Sequence, residues 1–311
     1  ADRDGYVMAV NAENGKVIWR TDLDVIISGG VGGTADYHVV ATRDGEVIAL
    51  NSTGEMVWRK KISSESLAPP AVDDDRVIVR GTDGSIVALA IEDGKQLWIY
   101  SRDVPALSLR GNSVPVMDQS RVYAGLDNGR LVALDIRDGH SVFDVAVATA
   151  SGRSEIERLN DVDGDAVLDN NLLYIASYQG RIIATDVRRG QLLWTRKIST
   201  STGVAAGTSS LFISDDRDHI WAMDRTNGAT LWKQEKMQAR QLTRPAVMDD
   251  YIIVGDYAGY LHWLSSFDGH FVARVYVDDD GILVPPLVKN NRVYVMTRDG
   301  NLVAYQLKPD S

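Results

Sequence analysis

No cysteine occurs among the 311 residues, which removes disulfides, thiolate zinc sites, cysteine nucleophiles and thioether haem attachment together. Histidine is scarce, with five residues at His38, His140, His219, His262 and His270. No run of about 18 apolar residues is present, the length that a membrane-crossing helix needs. Positive charge is in deficit: 33 Lys and Arg stand against 43 Asp and Glu, a net charge of −10. That balance argues against a nucleic-acid partner, whose affinity comes mostly from a basic face. What remains, 44% hydrophobic and 24% charged residues, is ordinary globular material with ample apolar matter for a core. The chain opens on Ala1 rather than Met, so an upstream segment such as a signal peptide is expected.

A repeat organises the whole sequence. The phrases DGYVMAV, DGEVIAL, DGSIVAL, NGRLVAL, QGRIIAT, RDHIWAM, AGYLHWL and DGNLVAY share an anchor at Gly5, Gly45, Gly84, Gly129, Gly180, Asp218, Gly259 and Gly300. The spacing averages about 42 residues, a repeat-protein period. A second glycine follows the first seven anchors, at Gly15, Gly54, Gly94, Gly139, Gly190, Gly228 and Gly269. Four residues beyond these stand Trp19, Trp58, Trp98, Phe143, Trp194, Trp232 and Ala273, so five of the seven tryptophans share one repeat position.

The units read as strands. Runs such as RVYVMT, YIIVGD and LLYIAS are short, β-branched or aromatic, and each leads into a tight-turn dipeptide or its equivalent. A proline precedes several units, at Pro70, Pro115, Pro245 and Pro286, where the first position of a strand needs no ladder donor. Four short antiparallel strands per unit, repeated at this period, predict an all-β fold: one eight-bladed β-propeller domain spanning 1–311. The alanines at Ala9, Ala49, Ala88, Ala133, Ala184, Ala222 and Ala304 fit a crowded third-strand position between blades. The tryptophan is expected to reach from the outer strand onto the adjoining blade. Residues 1–20 supply the last two strands of a unit and residues 284–307 the first three of another, so three further strands are expected upstream.

Several chemical readings are weak. The string DVDGD at Asp161–Asp165 suggests a calcium loop, but the sixth and twelfth positions hold Ala166 and Leu172 instead of Gly and Glu. The triplets Asp73–Asp75 and Asp278–Asp280 read as solvated hairpin tips, and His262 and His270 as surface or packing residues, not metal ligands. In the seventh unit Trp263 replaces the third-strand alanine and Ala273 the tryptophan, which reads as bulk moved between strands. No catalytic, cofactor or metal residue is assigned.

The GxxxAL and GxxxW phrases resemble the tryptophan-docking repeats of quinoprotein-type propellers. The two stretched periods are more specific. PALSLRGNSVP (Pro105–Pro115) and SGRSEIERLNDVD (Ser151–Asp163) resemble loops of the BamB family of outer-membrane β-barrel assembly, as does GDYAGYLHWLSSFDGHFVA (Gly255–Ala273). The resemblance runs from end to end. It implies a non-catalytic, lipid-anchored lipoprotein at the periplasmic face of the outer membrane that binds the POTRA domains of BamA. The partner surface it implies is Leu107, Leu109 and Arg110 in the first loop with Asp161 and Asp163 in the second. The lipidated cysteine is not in this sequence. Exposed strand edges or the remaining rim are also expected to receive unfolded outer-membrane clients by β-augmentation.

The residues themselves point more weakly to a partner site. Exposed loops carry function, and Arg110 has the bidentate fork of an interface residue. Chain chemistry alone favours leucines tucked beneath their own loop and aspartates capping turns, and the family resemblance reverses that preference. A quinone-dependent dehydrogenase and a glycan-binding propeller are the alternatives from other classes.

Overall fold

A computed structural model describes residues 1–102, 113–148, 162, 164–177 and 180–307. Among these residues twenty-nine strands form eight antiparallel sheets: six of four strands, one of three and one of two. The chain separates into two compact units, Ala1–Ala166 and Val167–Ser311.

In the first unit β1 (Tyr6–Val10) pairs with β2 (Val17–Asp22). The next sheet holds β3 (Ile27–Gly33), β4 (Tyr37–Thr42), β5 (Glu46–Asn51) and β6 (Met56–Lys61). It is followed by β7 (Ala71–Val72), β8 (Arg76–Arg80), β9 (Ser85–Ala90) and β10 (Gln96–Ser101). The last sheet of this unit is β11 (Val116–Met117), β12 (Arg121–Gly125), β13 (Arg130–Asp135) and β14 (Ser141–Ala146).

The second unit begins with β15 (Val167–Asp169), β16 (Leu172–Ala176), β17 (Ile182–Asp186) and β18 (Gln191–Arg196). Then come β19 (Val204–Ala206), β20 (Ser210–Ser214), β21 (Ile220–Asp224) and β22 (Thr230–Gln234). A third sheet has β23 (Ala246–Met248), β24 (Tyr251–Gly255), β25 (Tyr260–Ser265) and β26 (Phe271–Tyr276). The three-stranded sheet is β27 (Leu287–Lys289), β28 (Arg292–Met296) and β29 (Leu302–Gln306). Neighbours in sequence are neighbours in every sheet, as hairpin connections require.

The second and third strands of the four-stranded sheets are apolar on both sides because each such sheet has two faces to cover. Val77, Val79, Val87 and Leu89 pack towards Val39, Val47, Ala49 and Trp58 of the preceding sheet. From the opposite face of the same strands, Ile78, Ile86 and Ala88 pack towards Val122, Ala124, Val132 and Leu134 of the following one. The second unit repeats this: Leu211 and Ile213 share a cluster with Tyr174 and Ala184, while Phe212 and Ile220 share one with Ile252 and Leu264.

The tryptophans dock as the sequence implies. Trp58 lies opposite Ala49 in the ladder, and its indole N–H donates to the Ile91 carbonyl of the next sheet at 2.7 Å. Its ring covers Gly94, where a Cβ would come within 2.6 Å of a ring carbon. Trp19, Trp98, Trp194 and Trp232 donate in the same way to the carbonyls of Ser52, Ile136, Arg225 and Ser266, at 2.9 to 3.0 Å. One residue before each docking position the ladder skips, leaving Ile18, Val57, Leu97, Val142, Leu193, Leu231 and Val272 unpaired and exposed. These bulges turn the outer strand so that the following ring faces the neighbouring sheet.

Most other expectations have clear outcomes. Pro70, Pro115, Pro245 and Pro286 each stand immediately before a first strand. Asp218 takes the left-handed conformation of the anchor glycine, with φ 61°, and its carboxylate accepts the Leu242 N–H at 2.7 Å. Short polar side chains tolerate that region better than others do. Trp263 and Ala273 are direct ladder partners, so the bulk has crossed one strand inward. Trp263 is buried among Met248, Ile253, Ile282 and Val293. The crowded-alanine reading fails at Ala304, which is exposed because β29 has no fourth strand beside it among the described residues.

Candidate protein-binding site

Leu107, Leu109, Arg110, Asp161 and Asp163 all lie outside the described residues. Their loops are therefore located by the residues at their roots. The first loop leaves β10 and enters β11; the second leaves β14. Both are connections from a fourth strand, and in an antiparallel meander such connections share one end of the sheet with the turn between strands two and three.

Both pairs of roots are tied together within the first unit. At the departing ends, Arg102 donates to Asp144 at 2.8 Å. Asp144 also accepts a two-pronged bond from Arg130, at 2.9 and 2.7 Å. At the returning ends, the Ser113 hydroxyl donates to the Gly164 carbonyl at 3.2 Å, and the Val114 N–H donates to Asp165 at 3.1 Å. Hydrogen bonds from Arg130 and Arg102 hold the Asp144 carboxyl down at about 2. It stays ionised across the neutral range, and the charge-assisted bonds persist there. Asp165 thus serves as a contact between loops, the reading preferred over a calcium loop.

A charge inversion makes the first of these ties possible. In the β3–β6 sheet the residue after the turn glycine is Glu46, and it pairs with Arg59, the residue after the docking tryptophan, at 2.6 Å. In the β11–β14 sheet the same two positions hold Arg130 and Asp144 with opposite signs. The acid now lies on the outer strand, where Arg102 reaches it. A sequence comparison of the units carries this signal.

Beneath the same end, Arg80 at the close of β8 forms a buried ion pair with Asp127, which follows β12. Burial raises the Asp127 carboxyl above its ordinary range despite the guanidinium beside it. Removing either partner would leave a buried charge uncompensated.

The acidic triplets hold turns through hydrogen bonds. Asp73 accepts the backbone N–H of Asp75 and Arg76 at 2.8 and 2.7 Å, and Asp278 accepts that of Asp280 at 3.0 Å. These are turn caps. His270 is an exposed turn residue bonded to Asp268 at 2.6 Å. His262, by contrast, is buried against Asp256, its Nε2 lying 2.7 Å from that carboxylate. Sequence spacing did not reveal this partner, six residues upstream across a turn.

Tryptophans docked between antiparallel sheets on a period near 42 residues define an all-β, propeller-like repeat protein. The model of the family described as outer membrane protein assembly factor BamB matches residues 3–234 and 224–308. An outer membrane protein assembly factor BamB of Yersinia pestis is 35% identical over 317 residues, covering 98% of this chain and 81% of that protein. The crystal structure of BamB from Moraxella catarrhalis superposes with a TM-score of 0.92 at 32% identity, covering 99% of this chain and 92% of that chain. The chain belongs to the outer membrane protein assembly factor BamB family. A quinohemoprotein alcohol dehydrogenase from Pseudomonas putida also aligns, with a TM-score of 0.77 at 13% identity over 95% of this chain and 67% of that chain. A likeness at that identity is one of fold alone.

Proposed function

We propose that this protein is a non-catalytic scaffold subunit of the outer-membrane β-barrel assembly machinery, built as one eight-bladed β-propeller. It acts at the periplasmic face of the outer membrane by gripping a POTRA domain of BamA. Leu107, Leu109 and Arg110 of the first loop, with Asp161 and Asp163 of the second, form the grip. The observation that carries this reading is the double tie between the loop roots, through Arg102–Asp144 and through Ser113–Gly164 with Val114–Asp165.

Tied roots limit how far two loops move apart, so less ordering entropy is lost when a partner seats on both. Burying Leu107 and Leu109 against a partner would contribute about 1.5–3 kcal/mol each. Arg110 offers a planar fork to a partner carboxylate. Similarity to an assembly factor over 98% of this chain supports the role, and the dehydrogenase likeness, being of fold only, gives no support to an enzymatic one. The test is a pulldown of BamA POTRA domains with Leu107, Leu109 and Arg110 all changed to Ala. Binding is expected to disappear while the circular dichroism spectrum and melting temperature hold. Retained binding by this variant would remove the site assignment.

A further inference from the structure

A second polar constellation lies in the other unit, far along the sequence from the loops. A cavity of about 440 Å³ is lined by Lys236, Met237 and Arg240 from the β22–β23 connection and by His262, Phe271 and Arg274 from β25 and β26. Three cations face it in a protein whose net charge is −10.

One carboxylate organises the wall. Asp256 is fully buried, and its Oδ2 accepts from Arg240 Nε at 2.5 Å and from His262 Nε2 at 2.7 Å. Its Oδ1 accepts the Tyr260 N–H at 2.9 Å. Burial alone would raise this carboxyl, but the bonds from His262, Tyr260 and Arg240 outweigh it and hold it below its ordinary range. Asp256 is therefore an anion that positions the cations without neutralising them all. Lys236 and Arg274 make no ion pair among the described residues; Arg274 lies over the Tyr260 ring, 4.7 Å from its centre.

The β3–β6 sheet shows one source of this charge excess. Arg274 occupies the position of Arg59, and Tyr260 that of Glu46, the acid which neutralises Arg59. Here the acid is absent, a feature that the β1–β2 pair shares, since Arg20 lies over Tyr6 at the same two positions. His262 is also 3% exposed, and its Nδ1 is buried with no hydrogen-bond partner among the described residues.

We infer that this cavity binds a phosphate group. Guanidinium forks match phosphate oxygens in geometry and charge, and the Lys236 ammonium adds a third positive charge to the lining. Phe271 and Met237 add an apolar wall beside the cations. The same chemistry is presented by free phosphate and by a phospholipid headgroup.

The test titrates inorganic phosphate into the whole protein at constant ionic strength, read by calorimetry and by the His262 imidazole nitrogen shifts. Saturable binding with a Kd of about 1 mM is expected. Arg240→Gln with Arg274→Gln should weaken it at least about tenfold, the loss of one or more charge-assisted bonds. Tyr260→Glu, restoring the acid of the β3–β6 sheet, should weaken it with less effect on folding. Lys60→Gln, on an exposed outer strand elsewhere, should leave it unchanged. Co-sedimentation with phosphatidylglycerol vesicles, lost in the same variants, would assign the phosphate to a lipid headgroup; binding of the free ion only would assign it to soluble phosphate. Binding to neither, or equal binding by the double variant, overturns the inference.

Discussion

The β3–β6 and β23–β26 sheets share a pattern and solve it differently. In the first, Trp58 leans from the outer strand over Gly94, and Arg59 beside it is neutralised by Glu46. In the second, Ala273 stands at the tryptophan position, its ladder partner Trp263 carries the bulk, and Tyr260 replaces the acid. The junction between sheets evidently requires volume more than it requires that volume on a given strand, as expected where interiors are packed to near-crystalline density. The electrostatic consequence is separate. Removing the acid leaves Arg274 facing a cavity, whereas Arg59 is locked to its neighbour.

Tryptophan truncation breaks the comparison hardest. Trp58→Ala and Trp263→Ala should each cost about 3–5 kcal/mol in urea unfolding, since both rings are nearly fully buried. A cost below about 1 kcal/mol at Trp263 would show that bulk had not been exchanged between the strands.

Glycine substitution sharpens it at an intermediate scale. Gly94 and Gly15 have nearly the same backbone, φ 68° and 71°, but a Cβ at Gly94 meets the Trp58 ring whereas none meets anything within 4 Å at Gly15. Gly15→Ala should therefore cost about 1 kcal/mol, from backbone conformation alone. Gly94→Ala should cost roughly 2–3 kcal/mol, because overpacking is added. In a Trp58→Ala background its cost should fall to that of Gly15→Ala, and an additive double-mutant cycle would refute the docking account.

The smallest effect concerns the inverted pair. Asp144→Asn should cost no more than about 1 kcal/mol at neutral pH, as a largely solvated pair is screened. Because the folded-state pKa is depressed, the contribution is present above the unfolded value of about 4. It is lost as pH falls through about 2. The difference between wild type and variant should close across that window in pH-dependent melting.

Much of this was legible in the chain. The anchor glycine, second glycine and tryptophan sit at fixed spacings, and local turns with hairpin pairing translate such spacings directly into four-stranded sheets. The exchange of Trp263 and Ala273 was legible for the same reason. The loops around Leu107 and Asp161 stood out only as stretches of the period. The bonds that tie their roots, Arg102 to Asp144 and Ser113 to Gly164, join residues 42 and 51 positions apart, and no local pattern encodes them. The His262–Asp256 contact was missed because a turn reverses the chain between them. Ala304 was misjudged because a repeat position predicts its neighbours only where a full complement of strands surrounds it.

The skipped residue on every outer strand has a consequence for the company this protein keeps. An extended chain drifting past β6 or β18 would find the hydrogen-bonding rail broken one residue before the indole, with a branched aliphatic at the break. Zipping could not proceed along such a rail for a full strand length. Set among nascent, strand-forming chains, these bulged outer strands would in this way remain bystanders to pairing and would not be recruited into a growing sheet.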